Sequence, residues 1–354
     1  MYDVAIIGAG PAGATLARLI GDKCRVLLVD KRQLADDAGS PKCCGGLLAP
    51  DAQKMLSRLG LGLPKHVLVE PQLFVVRAID VPRRLERFYQ RFYINMDRQA
   101  FDRWLVSMVP SEVDVRFGCR FKSYAAHEDG FEIALGHGDA ATVEVARILV
   151  GADGASSLVR GQAMPSHASP EAYFAVQEWV ETDAALPYFS AIFDPEITDY
   201  YGWTIPKNKH LLVGAALRPK DETSGKFDLF KQKLKAWGFR LGNTVRREGT
   251  FLLRPTRLGQ LAAGAPGVAL VGEAGGWISP SSAEGFSYAF ASAIALADAI
   301  KQGRDGFEKR YARRMRAIRW NLALKTWKSR LLFQPQLRNI AMRSGLQSLD
   351  VYRY

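Results

Sequence analysis

Residues 2–30 read YDVAIIGAGPAGATLARLIGDKCRVLLVD. Tyr2 to Ile7 is a short apolar run bounded by glycine, the signature of a buried strand. Pro11 to Ile20 carries helical apolar spacing, and Arg25 to Val29 is a second buried strand that ends at Asp30. Strand, glycine-rich turn, helix and strand together form a βαβ opening. Between the first strand and the helix stands Gly8-Ala9-Gly10-Pro11-Ala12-Gly13. Gly8 permits the tight turn, Gly10 lets a pyrophosphate approach the backbone, and Gly13 lets helix and strand pack closely. The helix N-terminus that holds Ala12 offers unpaired N–H groups and the positive end of its dipole. Asp30 is placed to accept hydrogen bonds from a ribose. An acid there, rather than an arginine, favours an adenosine without a 2′-phosphate. The choice between FAD and NAD stays open on this stretch alone.

Outward from this opening, Lys31 to Lys42 reads as a polar loop and Asp97 to Val109 as a helix. Asp114 to Leu135 reads as a hairpin-like strand pair around Glu128-Asp129-Gly130. Val145 to Val150 is another buried strand, running into Gly151-Ala152-Asp153-Gly154. From about 170 to 257 the texture changes to alternating strands rich in aromatics: AYFAVQEWVE, PYFSAIFD, YYGWTIP and HLLVGAAL. That is an antiparallel sheet. Gly267 to Val271 is again a buried strand, and Ala283 to Ile300 is a long helix. Nucleotide-type elements thus stand at both ends with an aromatic sheet between them. We expect a discontinuous α/β domain carrying an inserted substrate domain.

The chain has 354 residues, 48% of them apolar and 24% charged. This is enough for about two domains with real cores, and it excludes fibrous, disordered and disulfide-stapled classes. Cys24, Cys43, Cys44 and Cys119 lack paired metal spacing, and the five histidines show no metal pattern, so no metal site is expected. Met1 to Gly13 lacks a basic leader and holds its own motif, so we expect no signal peptide, a cytoplasmic location and reduced thiols. Net charge is +12, yet residues 309–349 hold 11 basic residues and no acid, so the rest is close to neutral. The run RYARRMRAIRWNLALKTWKSRLLF at 310–333 interleaves those charges with Trp320, Leu322, Leu324, Trp327, Leu331 and Phe333. Such a helix packs its apolar side on the body or lies on an anionic membrane surface; that interleaving argues against nucleic acid as the partner.

The separated motifs, in this order, resemble the flavoprotein superfamily of para-hydroxybenzoate hydroxylase and geranylgeranyl reductase. Gly151-Ala152-Asp153-Gly154 is similar to its Asp-Gly motif. Val271-Gly272-Glu273-Ala274-Gly275-Gly276 is similar to its late Gly-Asp motif, which touches the ribityl chain of FAD, with Glu273 in place of the usual Asp. Glu284-Gly285-Phe286 resembles the family's Glu-Gly-Ile stretch at the start of the last long helix. Its N–H groups would face the flavin pyrimidine oxygen. Arg98 matches the arginine beside the flavin phosphate and ribityl portion. Cys44-Gly45-Gly46-Leu47 resembles the cysteine-glycine stretch beside the flavin ring in geranylgeranyl reductases. Tyr201-Gly202-Trp203-Thr204-Ile205-Pro206-Lys207 resembles their lipid-cavity strand, and SPKCCGGLLAPDAQ at 40–53 looks closest to short CbrA-type members.

The resemblance implies FAD as cofactor. It also implies a Rossmann-like FAD-binding domain from 1–68, 97–165 and 258–308. The inserted antiparallel-sheet substrate domain would be 69–96 and 166–257, with a basic helical tail over 309–354. It further implies an oxidoreductase that reduces carbon–carbon double bonds of a prenyl or related lipid. Reducing an isolated alkene requires a hydride on one carbon and a proton on the other, delivered in a dry pocket. Cys44 is the candidate to manage that proton or to orient a water that does; a small packing residue in the flavin loop is the alternative. Tyr201 and Trp203, two apart, share one strand face and form an aromatic wall. Lys207 is a candidate contact for a ligand phosphate. With no second dinucleotide fingerprint, NAD(P)H would visit transiently or a small electron carrier would serve. The competing readings are an aromatic monooxygenase, a flavin halogenase (through a likeness of YGWTIP to its signature), and a non-catalytic flavin sensor using Cys43 and Cys44.

Overall fold

The computed structural model describes residues 1–33, 42–138, 140–183, 187–220 and 222–351. Most of the expected polar loop, 34–41, lies outside the described residues, as do Ser40 and Pro41 of the CbrA-like stretch and the chain end at 352–354.

In chain order the first strands are β1 (Tyr2–Ile7), β2 (Val26–Asp30), β3 (Leu47–Leu48), β4 (Leu73–Asp80), β5 (Leu85–Asn95) and β6 (Asp114–Phe117). There follow β7 (Cys119–His127), β8 (Gly130–His137), β9 (Ala140–Gly151), β10 (Glu171–Glu181), β11 (Tyr188–Phe193) and β12 (Gly202–Lys207). The last are β13 (His210–Leu217), β14 (Thr244–Arg254), β15 (Gly264–Ala265), β16 (Val268–Leu270) and β17 (Ser348–Leu349). The early helices are α1 (Pro11–Ile20), α2 (Pro50–Arg58), α3 (Arg98–Ser107), α4 (Leu158–Ala163) and α5 (Thr223–Trp237). The later ones are α6 (Phe286–Ile300), α7 (Phe307–Arg314), α8 (Arg316–Phe333) and α9 (Pro335–Arg343).

The first sheet runs β15-β16-β9-β1-β2-β6, with the β7–β8 hairpin attached through β8 to β9. β1 lies parallel between β9 and β2, and Ile6 is level with both Val150 and Leu28. Central parallel strands are covered on both faces, which is why Val4, Ala5 and Ile6 are wholly buried although they alternate faces. One face packs on α1 and α6 through Leu16, Ile20, Ala293 and Leu296. The other packs under the hairpin through Phe121, Ile133 and Leu135. In such sheets ligands gather at the C-terminal ends of the strands. Those ends here are Ile7, Gly151 and Leu270, immediately before Gly8, Ala152 and Val271.

The second sheet runs β14-β10-β13-β12-β11-β4-β5-β17, with β3 added on β5. It is antiparallel as expected, except that β11 joins β4 in parallel, which brings residues 73–95 into the same sheet as 171–254. One face buries Ile192, Val213, Ala215 and Leu217 against Phe227, Phe230 and Leu234 of α5. The sequence reading did not place this helix. Trp237 continues the stripe of those three residues and Leu229 packs beside it, but the strands around the helix dominate the local pattern. The opposite face carries Tyr173, Ala175, Trp203 and Ala216 and looks toward the first sheet.

The basic tail is tied to both halves. Tyr288 donates to Asn321 at 2.7 Å, Arg338 pairs with Asp80 at 2.8 Å inside the protein, and β17 pairs with β5. No helix among the described residues is long and apolar enough to cross a membrane.

Candidate functional site

A cavity of about 250 Å³ lies between the two sheets. From the first half it is lined by Gly10, Pro11, Ala12, Arg98, Ala152 and Gly154, and by Gly272, Glu273, Glu284, Gly285 and Phe286. The loop 42–47 forms its edge, and the second sheet supplies the far wall.

The turn after β1 is fixed by contacts that only glycine permits. Gly8 has φ +108°, and a Cβ there would meet the Ala152 carbonyl oxygen at 2.4 Å. A Cβ on Gly13 would stand 1.8 Å from the Gly8 carbonyl oxygen. A Cβ on Gly10 would meet nothing within 4 Å. Gly10 is therefore glycine for the sake of something outside the protein's own packing. It is the N-cap of α1, has no side-chain cap, and faces the cavity. Asp30, at the end of β2, accepts from the Ala9 N–H at 2.8 Å, which holds the turn against the neighbouring strand.

Asp30 also opens a charge chain that the sequence reading saw only at its ends. Arg32 bonds Asp30 at 2.9 Å and Asp102 at 2.8 Å, and Asp102 holds Arg98 at 2.8 Å. Arg98 then lies over the Phe286 ring, 5.0 Å from its centroid. Burial alone would raise the Asp102 carboxyl, but the flanking Arg98 and Arg32 outweigh it and hold it below the ordinary range. Burial likewise opposes the Arg98 charge, and Asp102 more than offsets it. Asp102 stands four residues after Arg98 on α3, a spacing readable from the sequence. Arg32 is two residues past Asp30.

At the late motif, Glu273 lines the cavity and accepts from the Leu253 N–H at 2.8 Å, stitching the two sheets together. Burial pushes its carboxyl up, against the pull of Lys42 and Arg98. Lys42, which the sequence reading passed over, lines the same wall. Burial lowers its ammonium, helped by Arg98 and opposed by Glu273. Glu284 caps α6, accepting from the Ser287 N–H and Oγ, each at 2.7 Å, beside Gly285 and Phe286.

Cys44, Gly45 and Gly46 all border the cavity. Gly46 has φ +60°, and a Cβ there would sit 2.3 Å from the Met96 carbonyl oxygen. Its N–H donates to the Cys44 Sγ at 3.4 Å, which orients the thiol. Cys43 borders the cavity too, but its buried thiol donates to the Ala175 carbonyl at 3.9 Å, and burial pushes it up.

The far wall is aromatic: Tyr93, Phe189, Tyr200, Tyr201, Trp203 and Phe251. Tyr201 and Trp203 lie 5.8 Å apart between centroids, and the Tyr201 hydroxyl donates to the Ser282 carbonyl at 2.7 Å. The Trp203 indole lies flat against Gly214, where a Cβ would be 2.3 Å from the ring. Among the described residues, Gln177 Oε1 and Trp203 Nε1 are buried with no protein hydrogen-bond partner. Gln177, with Glu178 beside it, interrupts the apolar run AYFAVQEWVE, and that contrast was its signal.

Three expected contacts are placed elsewhere, and the first is Asp30, which does not line the cavity and whose two carboxylate oxygens accept from the Ala9 N–H and from Arg32 instead of a ribose. Lys207 does not reach the cavity. Its ammonium turns back to donate to the carbonyls of Gly46 (3.1 Å) and Met96 (2.8 Å), so the expectation of a phosphate contact is corrected. Burial lowers it to about 7. Asp153 does not line the cavity either. It accepts from the Ser157 hydroxyl and the Leu158 N–H, and so sets the turn that presents Ala152 and Gly154.

The donor set fits FAD: an open glycine at an uncapped helix N-terminus, a charge-held Arg98, and the α6 N-terminus all face one space. Residues 1–223 match the FAD binding domain family. Protein CbrA of Escherichia coli O139:H28 is 40% identical over 345 residues, covering 98% of this chain and 97% of that one. A geranylgeranyl bacteriochlorophyll reductase-like protein from Thermoplasma acidophilum has the same fold, with TM-score 0.82, 18% identity, and 96% and 90% of the two chains covered. PqsL, a probable FAD-dependent monooxygenase from Pseudomonas aeruginosa, gives TM-score 0.70 at 19% identity over 98% and 99%.

Proposed function

The chain belongs to the FAD binding domain family, among flavoproteins of the para-hydroxybenzoate hydroxylase type, and from that premise we propose that it reduces carbon–carbon double bonds of a prenyl or related lipid. It is an FAD-dependent oxidoreductase. The observation that carries the finer reading is the single cavity in which the flavin-binding turns face a wall of six aromatic rings. Such a wall accepts a flat or prenyl chain and excludes water. Contact of residues 309–333 with a membrane surface belongs to the same reading.

When bound and reduced, FAD would supply the hydride for one alkene carbon. The protein must hold the chain and bring a proton to the other carbon. Cys44 is the residue we assign to that task, as donor or as the group that orients a donating water, because its thiol is held at the cavity edge by the Gly46 N–H. Each turnover leaves the flavin oxidised and the alkene two hydrogens richer, so a reductant is required. Transient NAD(P)H or a small electron carrier fills that role.

The test is anaerobic incubation of the holoprotein with dithionite and geranylgeraniol in deuterium oxide, followed by product mass. Reduced product with solvent deuterium at both former alkene carbons supports the reading, because dithionite supplies only electrons and the hydride as well as the proton then derives from solvent, and Cys44→Ser should slow its formation without loss of FAD. A second reading, aromatic hydroxylation, is favoured by the unpaired Gln177 Oε1 and Trp203 Nε1, which suit a substrate with polar ring substituents. Oxygen-dependent NAD(P)H consumption stimulated by a phenol, with no alkene product, would move the assignment there.

A further inference from the structure

The outer side of α8 carries a feature that the cavity does not use. Trp320, Leu324, Trp327 and Leu331 are 72, 63, 61 and 37% exposed. Steps of four, three and four residues put them on one stripe of the helix. Ile340, on α9, is 64% exposed as well. A contiguous apolar patch of this kind marks an interaction surface.

The surrounding charge identifies the partner. Several of the tail cations are engaged: Arg310 and Arg319 bond backbone carbonyls, Lys325 pairs with Asp51, Arg338 with Asp80 and Arg314 with Asp298. Lys309, Arg313, Arg316, Lys328 and Arg330 are exposed and form no ion pair among the described residues. An apolar stripe flanked by unpaired cations complements an anionic lipid interface, with rings at the headgroup boundary and cations on phosphates. A second copy of the chain would bring these cations against their own kind. A nucleic acid would use the cations and the indoles but leave Leu324, Leu331 and Ile340 in water.

We propose that α8 and α9 dock the protein on an anionic membrane surface, with the Trp320–Leu331 stripe in the interface. The biological sense of this docking rests on the lipid-substrate reading above. On its inner side the same helix packs Phe333 against Tyr200 at 4.9 Å and Tyr201 at 6.4 Å, both part of the cavity wall. One helix therefore meets the membrane outside and the cavity wall inside, which shortens the path of a lipid between them.

The test is flotation of the purified holoprotein with vesicles of phosphatidylcholine alone or with added phosphatidylglycerol. Wild type should float with the phosphatidylglycerol vesicles, be released as salt rises, and ignore the neutral ones. Trp320→Ser with Trp327→Ser, and separately Lys328→Glu with Arg330→Glu, should bind at least about tenfold more weakly, since each cation near the surface contributes about a fivefold factor. Retained FAD and an unchanged thermal midpoint show that both pairs fold. Wild type that stays unbound, that binds both vesicle types equally, or whose variants float as it does, overturns the proposal. So does displacement by a single-stranded oligonucleotide, or dimerisation lost in the tryptophan pair, either of which reassigns the face. No turnover is measured, so this result and the prenyl-reduction result stand or fall separately.

Discussion

The two ends of the cavity are built in opposite ways. At the flavin end, buried polar groups satisfy one another before any ligand arrives: Asp30, Arg32, Asp102 and Arg98 form a continuous chain of ion pairs. At the aromatic end, Gln177 Oε1 and Trp203 Nε1 are left without protein partners among the described residues. A cofactor that stays bound rewards a preorganised site. A substrate that comes and goes is selected by groups that only it can satisfy. The difference teaches which half is scaffold for FAD and which half reads the substrate.

The largest effect should follow from breaking the preorganised end. Asp102→Ala leaves two guanidinium groups facing each other inside the protein, at a cost of about 3–5 kcal/mol. Urea unfolding and the flavin content of the purified protein measure it; loss of neither would mean the chain is not cooperative. Lys207 stands at the border between the ends. Its folded-state pKa lies at about 7, below the ordinary 10.5. The unfolded chain therefore binds more protons between those values, and stability rises with pH across that window, by up to about 1.4 kcal/mol per pH unit. Lys207→Met should flatten the dependence, which urea midpoints across the window will show.

Gly10→Ala separates ligand from fold. No protein atom lies within 4 Å of the added methyl, so apo stability should hold while FAD binds about tenfold more weakly, a loss of about 1.4 kcal/mol. Equilibrium dialysis against FAD beside apo thermal melts decides it, and equal loss in both would remove the pyrophosphate role from Gly10. The smallest effect belongs to the aromatic end. Gln177→Met should cost about 1 kcal/mol, the worth of the bond its Nε2 donates to Glu248 at 2.9 Å, since its Oε1 is already unpaired. Its effect should fall on substrate affinity instead, seen as a KM change with FAD retained.

The flavin end was largely legible because its chemistry is local. The turn Gly8 to Gly13 with Asp30 is written in 30 consecutive residues, and Arg98 with Asp102 in one helical turn. The aromatic end was legible in its composition but not in its contacts. Strand alternation puts Lys207 on the same face as Tyr201 and Trp203, yet its ammonium turns to carbonyls at 46 and 96, more than a hundred residues away. Lys42 was missed for the same reason, since it acquires its role from Glu273 and Arg98, which are distant in sequence. Helix α5 went unread because its one short apolar stripe stands between strong strands.

The measurement that reaches the central claim is single-turnover flavin reoxidation under strict anaerobiosis. The protein is photoreduced, mixed with a geranylgeranylated lipid or its diphosphate, and followed by flavin absorbance and product mass. Reoxidation with a gain of two hydrogens per alkene is the predicted result. A flavin that stays reduced until oxygen is admitted would contradict the reductase reading for that substrate.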